Sequence, residues 1–551
     1  MSESVDVIAL SVFSSRIAAV CDEMGAVLQR VAFSTNIKDR LDYSCAVFNT
    51  RGELCAQAAH IPVHLGSMAY AARDIVQNVD WAAGDMLVLN DPYLGGTHLP
   101  DITLIAPLFF KKQLMGFVAN RAHHADIGAT SPGSMPISSE LSEEGLIIPP
   151  TFILKNDEVD AAVMDDLLRD LKNPQQSHGD FSAQISANRR GVLRVQALIA
   201  EQGAPQYQRA LVDLNNYAAS IALSATQAIP VGCYQFSDVM DDDGQGNNDI
   251  LINATITVTE SSIAVDFKGT AKQVKGNINC PLSVAAAAVY YVFRCLMPAN
   301  TPACAGSFRH IRLSAPVGCL CNAQRPAAVA AGNVETSTRI VDVIIGALAK
   351  AIPLKLPAAS HGSMNNLAMG ALKNTQVEGY QAREYQAREH QAREHQAREH
   401  QAWDYYETIG GGMGANCLFN GISGVQTHMT NTLNTPVEVL EMNYPLRVKE
   451  YAFRKDSAGK GDLNGGEGLV RSFVFLQATH VTLLTERRNH APWSFNAKQS
   501  IDLHHDENKD SAKVGENLIN DEKCPPKFSR YLVAGDCLTI KTPGGGGYSG
   551  A

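Results

Sequence analysis

Apolar residues recur at spacings of four and three from the start of the chain: Phe13, Ile17, Val20, Met24, Val27 and Val31. That spacing keeps one face of a helix apolar, so the opening segment is expected to be a helix packed on a larger body. Residues 43 to 60 then look extended, with a turn at Thr50-Arg51-Gly52, and HIPVHLGSM, residues 60 to 68, opens another helix. Short apolar runs at Met86–Leu89 and Leu114–Ala119 read as strands. Between 250 and 267 the period falls to two. Ile250, Ile252, Ile256 and Val258, then Ile263, Val265 and Phe267, flank a TESS turn, which is a hairpin signal. Residues 281–299 and 334–352 predict buried helices; RIVDVIIGALAKAI is apolar on nearly all faces. Residues 440–485 and 530–542 read as strands with Gly/Asp turns. No steady βαβ alternation appears, so the expected class is α+β: a large mixed chain of several subdomains with antiparallel hairpins and buried helices.

Residues 381–402, QAREYQAREHQAREHQAREHQA, stand apart as a pentapeptide repeat. On a helix each repeat advances by ~500°, so successive repeats sit ~140° apart and no apolar stripe forms. Glu384/Arg388, Glu389/Arg393 and Glu394/Arg398 have the favourable order for i,i+4 pairs. An exposed insertion in a surface loop is expected, and His390, His395 and His400, five apart, share no helix face. The chain is thus divided into an N-terminal metal-site region (1–240), a central hairpin with buried helices (241–380), the repeat (381–402) and a glycine-rich β region (403–551), all within one unit from about residue 5 to residue 551.

Composition narrows the function classes. The 551 residues are 45% hydrophobic and 19% charged, enough for large cores. A net charge of -10 with no Lys/Arg cluster argues against nucleic acid or an anionic membrane as partner. The apolar stretch Val284–Phe293 is far short of the ~20 residues a spanning helix needs. The start MSESVDVIAL has no signal-peptide pattern. The 12 cysteines contain no CxxC pair, so a reducing cytoplasm is the simple expectation.

The chemistry concentrates in three stretches. GGTHLPD, residues 95–101, follows the Met86–Leu89 strand; Pro100 rules out a helix interior, so His98 and Asp101 lie on a loop. Asn120-Arg121-Ala122-His123-His124-Ala125-Asp126 ends the second strand, and Lys38-Asp39-Arg40-Leu41-Asp42 ends the first helix. Imidazole plus carboxylate suits Zn, Mn or Fe, and an open position would take water, which ionises near neutral pH on such an ion. No HExxH-type signature links the residues, so separate, satisfied polar groups stay open as the alternative. The glycine loops at Gly410-Gly411-Gly412 and Gly544–Gly547 lack P-loop and dinucleotide patterns. They fit backbone donors to an anion or close-packed turns equally well. Asp241-Asp242-Asp243-Gly244 lacks EF-hand spacing and reads as a turn. His504-His505-Asp506 reads as a polar loop.

KDRLDYSCAVFN, HIPVHLGSM, NDPYLGGTHLPDITLIAP, RAHHADIGATSPGSMP, EEGLIIPP, GNINCPLSVAAAAVYYVFR, PAAVAAGNVETSTRIVD, YYETIGGGMGA and TPGGGGYSG together resemble the hydantoinase B/oxoprolinase family, in order and spacing. The resemblance implies one subunit, or one half, of an ATP-dependent enzyme that opens cyclic amides. A hydantoinase A-type partner would use ATP to phosphorylate a small cyclic amide. It also implies a divalent metal on Asp42, His98, Asp101 and His123. His124 or Asp126, beside a ligand, would move a proton, and Gly410, Gly411 and Gly412 would hold a phosphate or oxyanion. Two alternatives stand: a component of an ATP-dependent ketone carboxylase of the acetone carboxylase kind, and a non-catalytic scaffold for the A-type partner. The repeat at 381–402 and the segment after Ala491-Pro492-Trp493 depart from the family pattern.

Overall fold

The computed structural model describes residues 7–59, 61–371, 402–496 and 510–550. The repeat from 381 to 401 and His504-His505-Asp506 lie outside the described residues. The chain is α+β, as its periodicities predict.

The first sheet organises the N-terminal half. Its strands are β1 (Tyr43–Phe48), β2 (Leu54–Ala59), β3 (Met86–Leu89), β4 (Asp101–Phe110), β5 (Gln113–His123), β6 (Thr151–Lys155) and β7 (Glu158–Val159), in the order β2-β1-β5-β4-β3-β6-β7. All neighbours are antiparallel. Successive side chains on a strand point to opposite faces. Here both faces are covered. Cys45, Val47, Met86, Val88, Leu104 and Val118 join one core with helices α1 (Val7–Val31), α5 (Pro174–Gln202) and α6 (Ala204–Thr226). Ala46, Phe48, Leu87, Leu89, Ile105 and Phe117 join another with α3 (Pro62–Gln77). Two-sided burial is why these strands read as continuous apolar runs rather than alternating ones. Two short helices, α2 (Thr35–Lys38) and α4 (Ala161–Leu168), complete this half.

The apolar stripe of α1 buries Phe13, Ile17, Val20 and Met24 as expected, but continues through Leu28; Val31 is 41% exposed. Val31 keeps the angular position of that stripe but is the last residue of the helix, beyond the buried contacts. Helices α5 and α6 went unread, because Asn, Gln and Ala replace large apolar residues on much of their buried faces. In α5, Gln184 and Asn188 are fully buried and their side chains bond backbone carbonyls of β4, at Ile102 and Leu104.

The central hairpin lies in a four-stranded sheet, two strands wider than its sequence suggests. Gly232–Asp242 pairs with Asn248–Val258 across the Asp-Gly turn, followed by Ile263–Asp266 and a parallel Ile311–Ser314. Against it lie α7 (Leu282–Cys295) and α8 (Ser337–Ala349), the latter buried along its whole length. A five-residue π-helical turn, Gly332–Thr336, leads into α8. Near the C-terminus, Val437–Asn443 forms a short helix, α9, where strand was expected. One four-stranded sheet orders Trp403–Glu407, Asn366–Ala371, Thr479–Leu484 and Lys527–Leu532. Its first two strands pair antiparallel from either side of the repeat. Among the described residues no helix is long and apolar enough to cross a membrane.

Candidate metal centre

Strand register builds the site. In the antiparallel β4–β5 pair, Asp101 stands directly opposite His123. In β1–β5, Tyr43 stands opposite Ala122, so Asp42 meets His123 at the same sheet end, and the His123 amide donates to the Asp42 carbonyl at 3.0 Å. His98 sits three residues before Asp101, on a turn held by the Asp101 amide donating to the His98 carbonyl at 3.1 Å. The three sequence stretches therefore converge because an antiparallel sheet brings the start of β4, the end of β5 and the start of β1 to one edge.

His98, Asp101 and His123 each offer a ligand atom, all within 4.8 Å of one another, and all three are buried. His98 Nε2 is 3.3 Å and His123 Nδ1 3.4 Å from Asp101 Oδ1. The outer contacts hold these groups in place. His98 Nδ1–H donates to the Ala330 carbonyl at 3.2 Å, leaving Nε2 as the free lone pair. Asp101 Oδ2 accepts from Thr97 Oγ1 at 2.5 Å, His64 Nε2 at 3.2 Å and Asn333 Nδ2 at 3.5 Å. His64 is itself oriented by Ser44 Oγ, 3.1 Å from its Nδ1. By contrast His98 Nε2, Asp101 Oδ1 and His123 Nε2 have no hydrogen-bond partner. Unpartnered buried polar atoms are costly, and three in one cluster fit a divalent cation.

The electrostatics agree. Burial opposes ionisation of Asp101, yet His98 and His64 hold its carboxyl well below the usual range. Burial pulls His98 down, but the Asp101 and Asp42 charges raise it overall. His123 is pushed down, chiefly by burial. Asp42 is buried and acts electrostatically on both imidazoles, but lies outside the trio.

The other expected residues take different surroundings. His124 Nε2 is 2.9 Å from Gln184 Oε1, its ring packs on Phe181, and Nδ1 has no partner. Burial holds it down. The Asp126 carboxylate accepts from the backbone N–H of Gly128, Lys172 and Asn173, at 3.0, 2.5 and 2.9 Å. The N–H groups of Gly411 and Gly412 donate to the carbonyls of Val425 and Pro543, at 3.0 and 3.1 Å. A Cβ on Gly412 would lie 2.0 Å from Gly466 O and 2.3 Å from Gly545 N, so close packing of glycine loops accounts for that residue.

Sequence reasoning missed the outer contacts His64, Thr97, Ala330 and Asn333. All four lie within stretches already named, His64 only as the start of a helix, and none of them was assigned to the site.

The chain matches the family profile described as Hydantoinase B/oxoprolinase over residues 6–551. It is 36% identical to 5-oxoprolinase 1 of Arabidopsis thaliana, covering 100% of this chain and 42% of that protein. It is 30% identical to a Pseudomonas relative described as the B-type component of a D-/L-hydantoinase, covering 99% of this chain and 90% of that one. The chain thus spans about two-fifths of the curated 5-oxoprolinases it matches. Among solved structures, the ATP-dependent caprolactamase of Pseudomonas jessenii superposes with a TM-score of 0.86 at 23% identity, covering 99% of this chain and 92% of that one. Acetone carboxylase superposes at 0.82 with 15% identity, covering 99% and 76%.

Proposed function

Because the chain belongs to the hydantoinase B/oxoprolinase family, we propose that it is the substrate-opening part of an ATP-dependent cyclic-amide hydrolase, of 5-oxoprolinase or N-methylhydantoinase type. The observation that carries this reading is the buried His98/Asp101/His123 trio, in which His98 Nε2, Asp101 Oδ1 and His123 Nε2 have no hydrogen-bond partner. Asp42 is proposed as the fourth ligand, since its charge already acts on both imidazoles. A zinc, manganese or iron ion there would acidify water and polarise a carbonyl.

The chain's own residues do the rest. Thr97, His64 and Asn333 hold one oxygen of Asp101, so that the other faces the imidazoles. His124, kept neutral by burial and with Nδ1 unengaged, is proposed to move the proton. Asp126 is assigned a supporting role: it ties the loop after His124 to the start of α5. Gly411 and Gly412, with their N–H groups engaged, are assigned to loop packing.

ATP is assigned to a separate hydantoinase A-type chain. The match to a relative named as a B-type hydantoinase component, of nearly the same length, supports this. The test is reconstitution with an A-type partner. Coupled ATP hydrolysis with 5-oxoproline or a hydantoin is expected, and none from this chain alone. Turnover with acetone and bicarbonate instead would move the assignment to a ketone carboxylase. Unchanged activity after Asp101→Ala would leave only a scaffold.

A further inference from the structure

Two members of the trio are oriented by hydrogen bonds: His98 by Ala330, and Asp101 by Thr97, His64 and Asn333. His123 is not. Its Nδ1 faces Asp101 and its Nε2 has no partner. A ligating imidazole ordinarily has its ring plane fixed through its second nitrogen. Here the restraint is a ring contact. Tyr406 stacks on His123, with centroids 4.7 Å apart and planes 8° apart, while the edge of His98 closes another side at 5.1 Å.

Tyr406 is itself held at both ends. Its carbonyl accepts from Arg40 Nη1 at 2.8 Å, and its hydroxyl donates to Asn366 Oδ1 at 2.7 Å. The Asn366 amide is fixed in direction, because Nδ2 donates to Glu335 Oε1 at 2.6 Å and to the Leu484 carbonyl at 3.1 Å. Glu335 Oε1 also accepts from the Met364 amide at 2.9 Å. Glu335, Asn366 and Tyr406 are all buried. Glu335 lies in the π-helical turn that also delivers Asn333 to Asp101, and such turns recur at functional sites.

The Glu335 carboxyl is buried without a cation beside it. Among the described residues Glu335 forms no ion pair within 4 Å, and its Oε2 has no hydrogen-bond partner. Burial, then the charge of Glu486, pushes it up to about 7. A buried acid kept without a cation is a cost that an apolar residue would avoid.

We propose that Glu335, through Asn366 and Tyr406, is a positioning relay that sets the plane of the His123 imidazole for metal binding. The inference rests on the metal reading above and adds these residues to it. Glu335 acts through other side chains and is not assigned contact with substrate.

The test is zinc affinity of the purified full chain, by competition with a chromogenic chelator. Tyr406→Phe keeps the ring but frees it, and Glu335→Leu removes the acceptor. Each should weaken zinc binding roughly ten-fold, the scale of outer-contact substitutions at metal sites. The double variant should be no weaker than the worse single one, because both break one chain. Glu335→Gln, which retains an acceptor for Asn366, should restore near-wild-type affinity. The cobalt-loaded Tyr406→Phe protein should show shifted visible bands, a readout that a loss of stability alone would not move. If Glu335→Leu does not fold, Tyr406→Phe carries the test through affinity and cobalt bands. Wild-type affinity and bands in Tyr406→Phe, or fully additive losses, would overturn the relay and leave the metal centre standing. A wild-type chain that takes up no metal would remove both.

Discussion

Two of the buried polar regions in this molecule are built on opposite rules. One joins Arg339, Arg487 and Lys527 to Asp238, Asp342 and Glu486, between the central hairpin, α8 and the C-terminal strands. Arg487 Nη2 reaches Asp342 at 2.6 Å and Asp238 at 2.8 Å; Lys527 Nζ reaches Glu486 at 2.7 Å. Arg339 reaches Asp238 at 3.3 Å and Glu486 at 3.2 Å. Lys527 also reaches Asp242 at 3.4 Å, so three cations meet four anions, and each of these charges is answered within the chain. The other region is the His98/Asp101/His123 trio. Its carboxylate has no cation but histidine beside it, and His98 Nε2, Asp101 Oδ1 and His123 Nε2 have no hydrogen-bond partner. Where the chain answers its own charges, the polar cluster is a staple. Where it leaves lone pairs converging, something from outside is expected to complete it.

That contrast can be broken experimentally. The largest effect is expected at Asp101. Asp101→Ala should abolish metal uptake and lower reconstituted activity by at least a thousand-fold, while the chain stays folded by circular dichroism. Retained metal would show that the trio is a staple as well. Next is Arg487→Ala, which strands Asp342 without its arginine and leaves Asp238 with Arg339 alone. Breaking a buried pair in this way costs about 3–5 kcal/mol, so the denaturation midpoint should fall sharply while metal per folded chain is unchanged. A loss of metal without a loss of stability would erase the distinction.

A smaller effect belongs to Glu144, which accepts from the amides of Val329 and Ala330 behind His98. Burial pushes its carboxyl up to about 7, against the amide donors and Ser138, from an ordinary value of 4.5. Its folded form therefore favours the proton. The contribution to stability is full below about 4.5 and is lost as pH rises towards about 7. Glu144→Gln removes that loss. In metal-free protein its stability relative to wild type should rise across this window by about 2–3 kcal/mol, read from urea denaturation at several pH values. A constant difference between pH 4 and pH 8 would mean that Glu144 does not titrate there. The smallest effect is expected at Asp126. Asp126→Asn retains one acceptor oxygen for the loop amides, so stability should fall by only about 1 kcal/mol and metal content should not change. If the variant bound metal normally yet lost all reconstituted activity, Asp126 would regain the proton-transfer role.

How much of this was readable follows from the same contrast. Four strands of the first sheet, β1, β2, β3 and β5, announced themselves as extended or apolar runs, whereas β4, β6 and β7 did not. His98, Asp101 and His123 were readable as chemistry, since a proline-bounded loop and a strand end carry them. Their convergence was not, because Asp101 meets His123 only through the β4–β5 register. Helices α5 and α6 were illegible because Gln184 and Asn188 sit on a buried face where polarity suggested exposure. The staple was illegible because its members, from Asp238 to Lys527, share no local motif. Tyr406, Asn366 and Glu335 lay within or near stretches that carry the family resemblance, yet a hydrogen-bond chain across three segments leaves no spacing to detect.

The most direct test of the account is metal content. Purified wild-type chain and His98→Ala, each incubated with zinc, manganese or iron and desalted, would be measured by plasma mass spectrometry. The account predicts near one ion per wild-type chain and almost none in the variant, with both equally folded. No bound ion in either, under any of the three metals, would contradict it.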